Sequence, residues 1–480
     1  MRTVLLIVAA LLALLLLLLL IALLRTLLKP QKKSLWQPEG DAEREKVYAG
    51  KLSQMVRCET VSCKGEVFRD KFLAFHKELE ALFPLVHQHL EKTEIEGSLL
   101  FYWKGLRAER PLVLMAHQDV VPAEGCWEHE PFSGDIDEKG RIWGRGSADD
   151  KSSLFAIFQA VEELLSEGYT PPQDLYLSAS NTEEIGGGGC PGLVAELKRR
   201  GVKPFLVNDE GGAISSQPMA GIEGYYAMVG ILEKGQGNII VSARSLGGHA
   251  SAPPKGSPIP RLAAFICAME KHYPLKSYMS PPLKTMLSTL GDYSPFGFRF
   301  LLSNLWLFKP LLTRLLPALS PAAGALLRTT CAFTMQKGSE GCNVLPQEAS
   351  VTINMRYIPH QGMEESIEII RKLAARYHLE VQILDAYDAL KPVDTESEAF
   401  HLVKETIEEI FPDLPIVPYI MTGGTDARFY EEICDACVRF APILYGPDQM
   451  KGMHGINEYL DSICLPAAVD YYRTLIRKNR

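Results

Sequence analysis

Basic charge is in deficit. The 480-residue chain holds 50 Lys and Arg against 58 Asp and Glu, a formal net of −8. It therefore lacks the basic excess that nucleic-acid binding leaves in a sequence, and no nucleic-acid partner is expected. Paired cysteines are scarce. Ten cysteines are scattered between Cys58 and Cys464, and only Cys434-x-x-Cys437 has metal or redox spacing. A thiolate zinc site needs a second pair, and a redox pair should open a helix after a strand, whereas this one follows an acidic helical stretch. The cysteines read as ordinary buried thiols. Repeats are absent, and low complexity is confined to the N-terminus. Apolar residues at 47% and charged residues at 22% exclude a mainly disordered chain, a collagen-like chain and a small disulfide scaffold. Long apolar runs are also few. Residues 300–327 come close to a second one, but Lys309, Arg314 and three prolines interrupt them.

The one unbroken run is Val4 to Leu24, mostly leucine. At about 1.5 Å per helical residue it spans a hydrocarbon core of about 30 Å. A cleaved signal peptide would have a shorter apolar region and a small-residue cleavage site. Here the run ends in Leu-Leu-Arg-Thr-Leu-Leu-Lys-Pro, so a retained single-pass membrane anchor is expected. Arg2 and the amino terminus flank one side, and Arg25, Lys29, Lys32 and Lys33 the other. The positive-inside rule leans towards a cytoplasmic body, by too small a margin to fix the side.

At about 100–200 residues per domain, the length suggests two or three domains. Residues 1–41 are read as anchor and linker. Strand and helix signals then alternate. Arg110 to His117 reads as a buried strand, Ser152 to Glu167 as a helix ending at Gly168, and Asp174 to Ala179 and Lys203 to Asn208 as further strands. This alternation predicts an α/β domain with a mostly parallel sheet flanked by helices. The texture changes near residue 230. Strands at Asn238–Ser245, Thr329–Met335, Ala349–Arg356 and Glu380–Leu384, with helices at Arg261–His272 and Met363–Tyr377, predict an inserted α+β unit. The expected division is a catalytic domain over 42–229 and 389–480, with the insert at 230–388. Residues 300–327 are expected to pack on that insert as helices, or to line a lipid groove.

Four acidic or histidine clusters carry chemistry. His117-Gln118-Asp119 ends a buried strand, where residues two apart share a face. His117 can then bind a metal through one ring nitrogen while Asp119 holds the other. Gly144-Arg145-Gly146-Ser147-Ala148-Asp149-Asp150-Lys151 leads into a helix, and its two aspartates would repel a phosphate. Asn181-Thr182-Glu183-Glu184 follows the next strand, and Asn208-Asp209-Glu210-Gly211 another. Carboxylates at the carboxyl ends of strands in an open α/β sheet sit where ligands bind. With His454 in His-Gly-Ile-Asn-Glu, they form a nitrogen and oxygen donor set suited to zinc, and a bridging carboxylate would hold two metals about 3.5–4 Å apart.

Taken together, these motifs resemble the di-zinc metallopeptidase family of aminoacylase, carboxypeptidase S and glutamate carboxypeptidase. The resemblance is nearest to the membrane-anchored carboxypeptidase S and N-fatty-acyl-amino-acid hydrolase branch, and it covers nearly everything after residue 45. It implies His117, Asp149, Glu184, Glu210 and His454 as metal ligands, with Asp149 bridging and Asp150 beside it in a non-proline cis peptide. Glu210 matches the strand-end ligand better than Asp209. The resemblance implies Glu183 as general base and Asp119 as the carboxylate that orients His117. It implies two Zn2+ per subunit, with Co2+ or Mn2+ not separated from zinc by spacing. The insert resembles the family's dimerisation or lid domain, which implies a homodimer. His249, in Gly-Gly-His-Ala-Ser, matches a histidine that reaches the oxyanion, often from the partner subunit. Asn343 and Arg356 fit the same lid pattern, and Arg428 is a candidate clamp for a substrate carboxylate. The implied activity is hydrolysis of an amide bond beside a free carboxylate, in a peptide or an N-acyl amino acid. An N-fatty-acyl-amino-acid hydrolase or synthase is the alternative. A membrane-anchored binding protein without catalysis is the reading from a different class.

Overall fold

The computed structural model describes residues 1–64, 69–219 and 221–480. Its core is a ten-stranded mixed sheet. In spatial order the strands are Glu91–Ile95, Ser98–Trp103, Gln173–Ser180, Arg107–His117, Leu206–Asp209, Cys437–Arg439, Tyr226–Glu233, Ala213–Ser215 and Leu444–Tyr445, with Ile416–Met421 also beside Tyr226–Glu233. The centre is parallel. Arg107–His117 runs parallel to both Gln173–Ser180 and Leu206–Asp209, and Cys437–Arg439 runs parallel to Leu206–Asp209. Antiparallel pairs lie outside this centre. The central strands are continuous apolar runs because both faces are covered. Leu112, Val113 and Leu114 are buried, as are Leu175, Leu177, Leu206 and Val207.

Helix Lys151–Ser166 packs on Arg107–His117 and on the C-terminal helix Leu465–Lys478. Its inward residues include Leu154, Phe155, Phe158 and Val161. Gly168 closes it at φ 69°, where the left-handed turn favours glycine. Because the three central strands are parallel, His117, Ser180 and Asp209 all lie at the same edge of the sheet. The loops that follow them share one rim.

A second, four-stranded antiparallel sheet is ordered Thr330–Lys337, Glu348–Tyr357, Gly235–Arg244, Glu380–Tyr387. Burial alternates strictly along Gly235–Arg244 and Glu348–Tyr357. The buried face meets helices Pro258–Lys271 and Met363–Ala375 through Ile239, Val241, Leu262, Phe265, Ile367 and Ile370.

Residues 300–327 do not pack on this smaller sheet as expected. Helices Pro281–Tyr293, Phe296–Leu302 and Leu305–Leu319 cover the large sheet instead, through Tyr226, Met228, Leu232, Val417 and Ile420. The physical reason is vacancy: the small sheet's apolar face is already filled by its own two helices, whereas this end of the large sheet offers an uncovered apolar face. The same cluster takes in Ala22 from the N-terminal helix Arg2–Leu28.

Candidate metal centre

The shared rim brings the acidic and histidine loops together. Strand Arg107–His117 delivers His117, which is buried. Its Nδ1 bonds to the Asp119 carbonyl at 2.9 Å, leaving Nε2 to face Asp149 Oδ1 at 3.1 Å and Glu210 Oε1 at 3.5 Å. The other Asp149 oxygen, Oδ2, lies 3.2 Å from His454 Nε2, and that nitrogen is 3.1 Å from Glu184 Oε2. Asp149 thus turns one oxygen to each histidine, and each histidine has a further acid beside it. Donor atoms of His117, Asp149 and Glu184 lie within 4.8 Å of one another, as do those of His117, Asp150 and Glu210. The Asp149–Asp150 peptide is cis, and Asp150 Oδ2 accepts the His117 amide at 3.4 Å.

Asp119 is fully buried and builds two parts of the rim. Its carboxylate accepts the amides of Glu183 and Glu184, each at 3.1 Å, and the Ser62 hydroxyl at 2.6 Å. It therefore fixes the turn that carries both glutamates. Its grip on His117 comes mainly through the backbone carbonyl, because the carboxylate is farther from Nδ1, at 3.5 Å. Asp209 turns elsewhere and accepts the Ala427 amide at 2.8 Å, while Glu210 faces His117.

One organising residue had no assigned role in the sequence reading, although its motif was noted. Glu458 Oε1 accepts the amides of Gly146, Ala148 and Asp149 at 3.0, 2.9 and 3.1 Å, and Oε2 accepts Arg145 Nη1 at 2.6 Å. The loop can wrap one carboxylate because Gly144 and Gly146 adopt φ 141° and 84°. Its position four residues after His454 was the only local signal. His454 itself sits at φ 54°, a left-handed conformation that costs about 1–2 kcal/mol for a non-glycine residue. Glu458→Ala would leave three amide donors and a buried guanidinium unpaired. The expected loss is about 3–5 kcal/mol of stability, read by denaturant unfolding, together with weaker metal retention.

The electrostatics suit cations. Burial raises Asp150 and Glu184, and burial plus the neighbouring Asp150 and Asp149 charges raises Glu210 well above the usual range. Burial alone would raise Asp149 too, but hydrogen bonds from His117 and His454 hold it well below that range. Burial opposes the charge on His117, yet Glu210, Asp119 and Asp149 lift it well above normal. Hydrogen bonds to Asp149 and Glu184 push His454 up to about 10. Among the described residues, no lysine or arginine ion-pairs with these four carboxylates. Protons and imidazolium charge stand where divalent metals fit. Each metal must displace protons from its histidine, so affinity is expected to rise with pH below about 10 and fall on acidification. Competition with a chelating dye at several pH values checks this: the slope should show at least one proton released per histidine, and more where the raised acids Glu184 and Glu210 also give up protons.

Above the rim lies a cleft of about 1060 Å³. Glu183, Glu184 and His454 line it from the large sheet, with Arg428, while Arg356 and Tyr387 line it from the small sheet. Burial and the Asp426, Glu184 and Asp149 charges raise Glu183, against the opposing pull of His117. Arg428 lies 5.3 Å over the Tyr387 ring and donates to the Thr425 carbonyl at 3.0 Å. His249 and Asn343 are not in this cleft. They meet on an exposed two-residue ribbon, where the Ala250 amide bonds to the Asn343 carbonyl at 3.0 Å.

Comparison with known proteins agrees with this architecture. The model of peptidase family M20/M25/M40 matches residues 113–478. A probable carboxypeptidase S-like 2 of Dictyostelium discoideum is 36% identical over 423 residues, covering 86% of this chain and 80% of its own length. The N-fatty-acyl-amino acid synthase/hydrolase PM20D1 of Homo sapiens is 34% identical over 439 residues, covering 89% and 86%. Among solved structures, an M20 family metallo-carboxypeptidase Sso-CP2 from Sulfolobus solfataricus superposes with a TM-score of 0.67 at 17% identity, covering 90% and 99%.

Proposed function

We propose, because this chain belongs to the peptidase family M20/M25/M40, that it hydrolyses an amide bond next to a free carboxylate, in peptides or N-acyl amino acids, with two zinc ions. The observation that carries this is Asp149, one oxygen facing His117 and the other facing His454. His117, Asp149 and Glu210 would hold one ion, and Asp149, Glu184 and His454 the other. When bound, the ions supply Lewis acidity that lowers the pKa of water to about 7 and polarises a carbonyl.

The chain's own residues do the rest. Glu183 lines the cleft, and its amide is fixed by Asp119. It takes a proton from the attacking water and passes it to the amine nitrogen as the C–N bond breaks. Its upward-shifted acidity suits a base that must also serve as an acid. Arg428, and Arg356 across the cleft, bind the substrate carboxylate with planar donor forks. His249 and Asn343 face solvent in a single chain. They complete the oxyanion contacts in a homodimer, through His249 of the partner subunit.

The helix Arg2–Leu28 is long and apolar enough to cross a membrane. We assign it as a retained anchor. Its end is docked on the body: Ala22 and Thr26 are buried, and Lys29 pairs with Asp292. The likeness to PM20D1 favours a second reading within the same chemistry, in which the acyl group is a fatty acid.

A substrate panel tests the proposal. Dipeptides, short N-acyl amino acids and a long-chain N-acyl amino acid should be hydrolysed, and their C-amidated counterparts should lose about 10²-fold or more in kcat/KM, as expected when a bidentate charge pair is lost. In Arg428→Lys the preference for the free acid should shrink. Equal turnover of acids and amides would reject the carboxylate requirement.

A further inference from the structure

We propose that residues 295–319 form a lipid-bilayer contact surface, a collar seated in the headgroup and upper acyl region around the body-side end of the N-terminal helix. The proposal rests on the reading of that helix as a retained membrane span.

Helix Leu305–Leu319 is apolar on both sides. Leu305, Phe308 and Leu312 are buried against the body, while Trp306, Leu311 and Leu315 are 43–49% exposed on its two outer flanks and Leu319, at the helix end, is 75% exposed. Lys309, Thr313 and Arg314 interrupt the helix, but its exposed side is otherwise mostly leucine, proline and tryptophan, and among the described residues no second layer lies over it. The preceding helix adds exposed Phe296 and Phe298 to the same segment. Large contiguous apolar patches on a protein surface mark interaction sites.

The position identifies the occupant. Asn304 Nδ2 donates to the Ala22 carbonyl at 3.2 Å and to Thr26 Oγ1 at 2.9 Å. The Arg25 guanidinium lies 5.9 Å over the Trp306 ring. The outward face of Leu305–Leu319 therefore begins at the level where the apolar run gives way to Arg25 and Lys29, and a bilayer around one reaches the other. Trp at that level is the side chain that prefers a membrane interface. Charge points the same way. No Asp or Glu occurs between Asp292 and Glu340, whereas five cations do, Arg299, Lys309, Arg314, Arg328 and Lys337, of which Arg299 is buried. Anionic headgroups attract such a face. Arg314, alone among charges on the outward face, is exposed and can extend its stem along the apolar surface. A contact with a second copy of this face would bury Arg314 with no acidic partner from the same segment, so the bilayer is the favoured occupant.

The test uses the full chain in phosphatidylcholine–phosphatidylserine vesicles whose acyl chains carry bromine near the interface. Of the five tryptophans, Trp306 alone is exposed, and the N-terminal helix contains none, so bromolipid quenching reports the collar. We expect wild type to be quenched and Trp306→Phe to lose most of that quenching. The double variant Leu311→Glu with Leu315→Glu should keep the wild-type melting temperature and circular dichroism, yet lose most of the quenching at Trp306. If that variant misfolds, Trp306→Phe decides. Alkaline carbonate extraction, run in parallel, separates the two readings. A protein that stays in the vesicles but shows equal quenching in wild type and Trp306→Phe overturns the collar and leaves the anchor standing. A protein that washes off overturns the anchor and the collar with it. Shielding of Trp306 from aqueous acrylamide without lipid quenching, with a dimer lost in the double variant, would assign the face to self-association and also overturn the proposal.

Discussion

Replacing Asp149 by alanine is expected to empty both metal positions and to abolish amide hydrolysis. In the proposed centre each of the other four ligands would serve one ion, whereas Asp149 turns one oxygen to each histidine, at 3.1 Å from His117 and 3.2 Å from His454. Removing it takes a charge from both sites at once. The expected fall in kcat/KM is at least about 10⁴-fold, or about 5 kcal/mol of transition-state stabilisation. Metal analysis of the purified variant should find neither ion at stoichiometric level. The fold should survive, because Asp149 lies on a loop at the rim of the sheet and belongs to none of the buried apolar clusters. Unchanged circular dichroism would show that the loss is chemical. Asp149→Asn should behave in the same way, since it keeps the shape and loses the charge.

Glu183→Gln should give a contrasting result: metal retained, chemistry lost. Glu184 is 3.1 Å from His454, while Glu183 makes no ion pair with either histidine among the described residues and faces the cleft. A neutral amide there cannot take a proton from water. General acid–base catalysis contributes about 10²–10⁴-fold, so kcat should fall by that factor while KM stays within a few-fold. The pH profile gives an independent check. As the proposed base Glu183 would have to be ionised, so the wild-type rate should fall as pH drops through its raised pKa. In Glu183→Gln that acidic limb should disappear from whatever rate remains. If Glu183→Ala and Glu183→Gln both hydrolyse the panel at the wild-type rate, this mechanism is wrong.

The central strands and the acids at their ends were legible because both signals are local. A buried apolar run followed by His-x-Asp, or by Glu-Glu-Ile-Gly, marks a strand end on sequence grounds alone, and parallel pairing then puts those ends on one rim. The strands Ala213–Ser215 and Leu444–Tyr445 were not legible, since two or three residues carry no periodicity. Glu458 was not legible as the centre of the Gly144–Asp149 loop, because its amide partners lie 309–312 residues away in sequence. The Asp119 carbonyl, as the nearer partner of His117, is a matter of tenths of an ångström that no spacing encodes. The docking of 281–327 on the large sheet depended on which apolar face lacked a cover, and that is a property of the assembled layers.

Stepwise metal restoration tests the central claim most directly. The full-length chain is stripped with chelator, and zinc is returned in measured equivalents while hydrolysis of an N-acyl amino acid is followed. The account predicts no turnover in the stripped protein, activity that saturates at two equivalents per chain, and no recovery in Asp149→Ala at any zinc level. Turnover that persists without metal, or that saturates in Asp149→Ala as in wild type, would contradict it.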